Sequence, residues 1–127
     1  MQPPIGGSVR STTLKAGPEN AKAARDFVRS CLTSTFGFDT DVIVLLASEL
    51  ATNAILHSRL TFEVSVEVTA TCIEVSVDDL SAILPVPRQA ADTETSGRGL
   101  AIVRAAADRW GIEPTPHGKS PWFKVCK

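Results

Sequence analysis

Glu49, Asn53 and His57 stand four residues apart in the run Ser48-Glu49-Leu50-Ala51-Thr52-Asn53-Ala54-Ile55-Leu56-His57. On a helix that spacing puts all three on one face. Val42, Ile43, Val44, Leu45, Leu46, Ala47, Leu50, Ala51, Ala54, Ile55 and Leu56 cover most of the remaining circumference. A thin polar stripe on so apolar a helix needs a polar partner once it is buried. A second segment, Ser96-Gly97-Arg98-Gly99-Leu100-Ala101-Ile102-Val103, reads as a glycine loop opening a helix. Free backbone N–H groups and the positive end of the helix dipole suit phosphate there. Together the two segments suggest a nucleotide lying against one helix and capped by the start of another. His57 reads as a helix-end residue near the last carbonyls and stays outside the catalytic set.

A third polar residue follows from strand phase. Leu60 to Thr69 alternates, with Leu60, Phe62, Val64, Val66 and Val68 pointing one way. After a turn near Ala70-Thr71, Ile73, Val75 and Val77 set the inward phase of the next strand. Two residues on, that phase reaches Asp79, and Asp78 points away. A carboxylate on the core side needs hydrogen-bond donors or a cation. The polar helix, or an amino group of a ligand, can supply them.

The remaining elements must hold these groups in place. Val9 to Ala16 is expected as a first strand. Gly17-Pro18-Glu19 opens an amphipathic helix that buries Ala21, Ala24, Phe27, Val28, Cys31 and Leu32, and Gly37 ends the region. Asp39 caps the polar-striped helix, expected from about Thr40 to Ser58. Leu80 to Ser96, with Pro85 and Pro87, forms no element and is expected to be a lid or binding loop. The helix after Gly99 is expected to bury Leu100, Val103, Ala106 and Ala107. Trp110 to Pro114 and Ser120 to Cys126 are the closing strands, with Pro121 tolerated at a strand start or edge. This order predicts an α/β two-layer sandwich, its mostly antiparallel sheet covered on one face by three helices.

With 127 residues the chain is expected to form one domain over 1–127. The 13 basic and 14 acidic residues leave a net charge of -1, which argues against a general nucleic-acid or membrane-surface protein. Cys31, Cys72 and Cys126 are widely spaced and form no Cys-x-x-Cys pair, so they are expected as reduced thiols and small core residues. Met1 to Ser11 has no apolar signal region, and no apolar run is expected to span a bilayer. A cytoplasmic location is the expectation.

Three boxes in order then point to a family. Glu49-Leu50-Ala51-Thr52-Asn53-Ala54 resembles the N-box of the GHKL (Bergerat) ATP-binding fold, which gyrase, a heat-shock chaperone and histidine kinases share. Asp79-Leu80-Ser81 resembles its first glycine box, and Ser96-Gly97-Arg98-Gly99-Leu100 its second. Ala107-Asp108-Arg109-Trp110-Gly111 and Gly118-Lys119-Ser120-Pro121-Trp122-Phe123 are similar to the small anti-sigma factor serine kinases. The resemblance covers the chain from about Arg10 onward. It implies that Asn53 ligates Mg²⁺ and that Glu49 activates a nucleophile near the γ-phosphate. It also implies that Asp79 accepts a hydrogen bond from the adenine amino group, with Ser81 in the same box and Ser120 beside adenine. Gly97, Arg98, Gly99 and Leu100 correspond to the phosphate loop. The chain departs from the family's Asp-x-Gly-x-Gly by carrying Ser81 and Ile83 in place of both glycines.

The resemblance implies an ATP- and Mg²⁺-dependent protein-serine kinase that sequesters a sigma factor and phosphorylates an anti-anti-sigma antagonist. It implies no direct contact with nucleic acid or membrane, and it allows a homodimer, since related proteins form dimers. The rival from another class is a non-catalytic module whose partner affinity is set by nucleotide. A histidine-kinase catalytic domain is a third reading, disfavoured because the chain has no room for a phospho-accepting hairpin.

Overall fold

The computed structural model describes residues 8–57, 60–80, 101–116 and 118–127. The expected lid, the phosphate loop and the sites Ser81, Gly97, Arg98, Gly99 and Leu100 lie outside the described residues. The chain runs β1 (Ser8–Lys15), α1 (Asn20–Cys31), α2 (Thr40–His57), β2 (Thr61–Val68) and β3 (Cys72–Asp79). A third helix, α3, is described over 101–106, before β4 (Arg109–Thr115) and β5 (Gly118–Cys126). The five strands form one sheet in the order β1-β2-β3-β5-β4, and every neighbouring pair is antiparallel.

The period-2 pattern of β2 and β3 is what builds the core. Phe62, Val64 and Val66 of β2 and Ile73, Val75 and Val77 of β3 are buried, and Phe123 of β5 joins them. The alternate residues, among them Glu63, Ser65, Glu67, Glu74, Ser76 and Asp78, fall on the other face of the sheet. α1 buries Ala24 and Val28 and packs on α2 and on β1. Its outward side carries an exposed Lys22–Asp26 pair at 2.7 Å, one turn apart.

α2 is the central helix. It packs against α1, β2, β3 and β5. Ile43, Leu46, Leu50 and Ala51 are wholly buried. By length and composition this helix is apolar enough to cross a membrane, contrary to the expectation that no such run exists. Its buried residues instead pack against α1 and the sheet, while Leu45 and Leu56 stay exposed. Asp39 caps it as expected: the Val42 N–H donates to Asp39 Oδ1 at 3.2 Å, and the Ile43 N–H to the Asp39 carbonyl at 3.1 Å. Just before this cap, Gly37 adopts φ +83°, a left-handed turn that glycine takes without a Cβ clash.

Three expectations are corrected. Cys72 and Cys126 are joined in a disulfide, with Cα atoms 4.0 Å apart. The β3–β5 register places them directly opposite one another, a non-local neighbour that their spacing of 54 residues conceals. Closing a loop of that length is worth about 4 kcal/mol in the chain-entropy picture. Only Cys31 is free, and burial pushes its thiol pKa up. Leu60 is 60% exposed: it precedes β2, and its carbonyl accepts the Ala16 N–H at 3.0 Å while its side chain stays outside the core. On α3, Val103 is buried and Ala107 packs against the core, but Ala106 is exposed on the helix's far side.

Pro121 is the fourth residue of β5, a strand flanked by β3 on one side and β4 on the other. Its pairing with β4 is continuous, with Ile112 opposite Pro121. The β3–β5 ladder, by contrast, stops at Ser76 opposite Trp122, one residue short of the proline. A residue without an N–H cannot continue a ladder on both sides. The β3 segment from Val77 to Asp79 therefore ends the sheet paired to β2 alone in the described ladders.

Candidate functional site

Chain connectivity brings the polar stripe of α2 to the same end of the molecule as Asp79. α2 ends at His57 and β2 begins at Thr61, so only residues 58–60 separate them. In the next position of β2, Phe62 lies directly opposite Asp79. The Leu80 N–H donates to the Thr61 carbonyl at 3.1 Å and closes that end of the hairpin. The other end of α2 is anchored over the opposite end of β3. There Lys127 donates through its backbone N–H to the Thr71 carbonyl at 2.9 Å and through Nζ to the Phe36 carbonyl at 2.7 Å. A helix of 18 residues at 1.5 Å per residue is about as long as an eight-residue strand at 3.3 Å. α2 thus runs the length of β3, and its last turns, with Asn53 and His57, finish near Asp79.

Glu49 and Asn53 are both half-buried on α2, one turn apart. Neighbouring Leu50 and Ala51 are fully buried, and Thr52 is exposed. The pair therefore sits on the flank between the sheet-facing side of the helix and solvent. That is the setting in which a carboxylate and an amide reach a ligand and still keep contact with water. His57 is half-buried in the last turn. Its position there agrees with the helix-end reading.

Asp79 follows the inward phase read from the sequence. It continues the series Ile73, Val75, Val77, and its cross-strand partner Phe62 is wholly buried. Its carboxylate lies beside the start of β5: a Cβ built on Gly118 would stand 3.5 Å from Asp79 Oδ2. Asp78 points to the other face, opposite Glu63.

Ser120, the third residue of β5, is half-buried. Ser120 pairs with Glu113 in the unbroken β4–β5 register, two residues before Trp122. Trp122 stands opposite Ser76 on the face away from the helices, while Phe123 faces the core. Ser120 also follows two residues after Gly118, whose Cβ position lies beside Asp79. Lys119, opposite Pro114, is exposed. Among the described residues no group of three or more His, Cys, Asp or Glu side chains forms a metal cluster. The one oxygen donor of the expected ion site that the structure describes is the Asn53 amide, and Mg²⁺ commonly takes one or two protein ligands and fills the rest with phosphate and water.

Comparison with known proteins agrees with this geometry. The family profile of the histidine kinase-like ATPase domain matches residues 14–123, from the end of β1 through most of β5. A search of curated proteins finds no match.

Proposed function

Because this chain belongs to the histidine kinase-like ATPase family, we propose that it is an ATP- and Mg²⁺-dependent protein-serine kinase acting as an anti-sigma factor. It sequesters a sigma factor and phosphorylates a small anti-anti-sigma antagonist in the cytoplasm. What supports this most is the family match over residues 14–123, with the half-buried Glu49–Asn53 pair on α2 and the inward strand phase of Asp79 beside it.

Each residue has a part that its environment allows. Asp79, an acceptor beside the bare Gly118, takes a hydrogen bond from the exocyclic amino group of adenine. Asn53 would hold Mg²⁺ through its amide oxygen, and the ion would supply charge neutralisation for the phosphates. Glu49, one turn toward the helix start, accepts the proton of the antagonist serine hydroxyl as the oxygen attacks. Phosphoryl transfer needs mainly such positioning. The glycine loop at 97–99 supplies backbone N–H donors to phosphate.

A second reading has its own motive. Ser81 and Ile83 stand where the wider family carries glycines. A site with side chains there would bind nucleotide to set partner affinity without useful turnover. Incubation with radiolabelled ATP and candidate antagonist proteins, with and without Mg²⁺, decides between the two. The kinase reading expects label on an antagonist serine only when Mg²⁺ is present. Nucleotide binding without label on any antagonist transfers the case to the second reading.

A further inference from the structure

β3 and β5 end very differently at their two ends. At the Asp79 end the ladder between them stops. At the other end Cys72 and Cys126 are directly opposite and covalently joined. Cys126 is exposed, so a thiol in solution has access to its sulfur. The following residue, Lys127, reaches across to the α1–α2 connection. Its Nζ donates to the Phe36 carbonyl at 2.7 Å and lies 5.0 Å from the centre of the Phe38 ring. Its stem packs on Gly37 so closely that a Cβ there would stand 2.8 Å from Lys127 Cδ. This connection ends in Asp39, which caps the helix that carries Glu49 and Asn53.

We propose that Cys72 and Cys126 are a reversible dithiol–disulfide pair that controls, through Lys127, how firmly the α1–α2 connection and the first turn of α2 are held. In the oxidised form β5 is locked to β3, and Lys127 is delivered onto Phe36 and Phe38. In the reduced form the end of β5 keeps its ladder, the Lys127 N–H bond to the Thr71 carbonyl at 2.9 Å and the bond from the Cys126 N–H to Asp108 Oδ2 at 2.6 Å, but loses its covalent tie to β3. Lys127 then leaves its clamp more often, and the Asp39 cap opens with it.

The chemistry is ordinary exchange with an external dithiol. A thiolate of the dithiol attacks the exposed Cys126 sulfur, and the Cys72–Cys126 bond breaks. Cys72 departs as a thiolate and takes a proton. The second thiol of the dithiol then displaces Cys126. The dithiol is oxidised to its disulfide, and two electrons and two protons pass to the protein. Cys31 takes no part: it is half-buried, and burial disfavours its thiolate. A bond of this kind in the cytoplasm proposed above is of the transient, redox-sensing type. The test below stands apart from that location and from the kinase reading.

Thiol labelling of the native, air-oxidised chain is expected to modify one cysteine, and three after treatment with dithiothreitol. Hydrogen exchange of the same two samples is expected to show the Val42, Ile43 and Lys127 amides exchanging roughly tenfold faster after reduction. The Val64 and Val75 amides in the core strands are expected to change far less. Lys127→Ala should give the same acceleration at Val42 and Ile43 with the disulfide intact and only one thiol labelled. Three labelled thiols in the oxidised sample would overturn the proposal. So would unchanged protection at Val42 and Ile43, or acceleration of the core amides by the same factor, which marks a general staple with no local control.

Discussion

Glu49→Ala is expected to keep ATP affinity close to that of the wild type while phosphoryl transfer falls by about 10²- to 10⁴-fold. The expectation rests on where the carboxylate sits. Glu49 is half-buried on the flank of α2, and its neighbours Leu50 and Ala51 fill the core. Truncation therefore removes an acid–base group without emptying a packed cavity, so folding should survive. Asn53, one turn on, keeps its metal-binding amide. In single-turnover transfer to the antagonist, the loss should appear in the chemical step and not in nucleotide titration. A variant that transfers phosphate at the wild-type rate removes Glu49 from the mechanism. One that no longer binds ATP shows that the carboxylate shapes the nucleotide site instead.

Asp79→Asn is expected to weaken ATP binding by about 1–3 kcal/mol, the scale for a buried hydrogen bond that involves a charged group. The side chain continues the inward phase of β3 opposite the buried Phe62 and faces Gly118. The substitution keeps the volume and replaces one acceptor oxygen with an NH₂ donor, which opposes an amino group of the ligand. Fold and sheet register should be untouched, so circular dichroism serves as the control. Equal ATP affinity of wild type and variant would take Asp79 out of base recognition. The Asp78→Asn control, on the outer face of the sheet, should leave affinity unchanged.

The parts of this account that were legible in the sequence are the local ones. α2 was readable because its polar stripe recurs every four residues and Asp39 marks its start, and the helix spans Thr40–His57. The inward phase of Asp79 was readable because β3 alternates without interruption from Ile73. What failed was set by partners distant in the chain. Cys72 and Cys126 meet only because β3 and β5 become neighbours in the sheet, although β4 separates them in sequence. The tolerance of Pro121 inside β5 has the same origin: its cost falls on the β3 side, where the ladder stops. Leu60 obeys the alternation of β2 but precedes the strand, and its side chain stays exposed.

Calorimetric titration of the full chain with ATP and with GTP, each with and without Mg²⁺, tests the central claim most directly. The account predicts ATP binding that strengthens with Mg²⁺ and a GTP affinity at least about tenfold lower, because Asp79 presents an acceptor to an amino group that guanine lacks at that position. Equal affinity for the two nucleotides, or no binding of ATP with Mg²⁺ present, would contradict it.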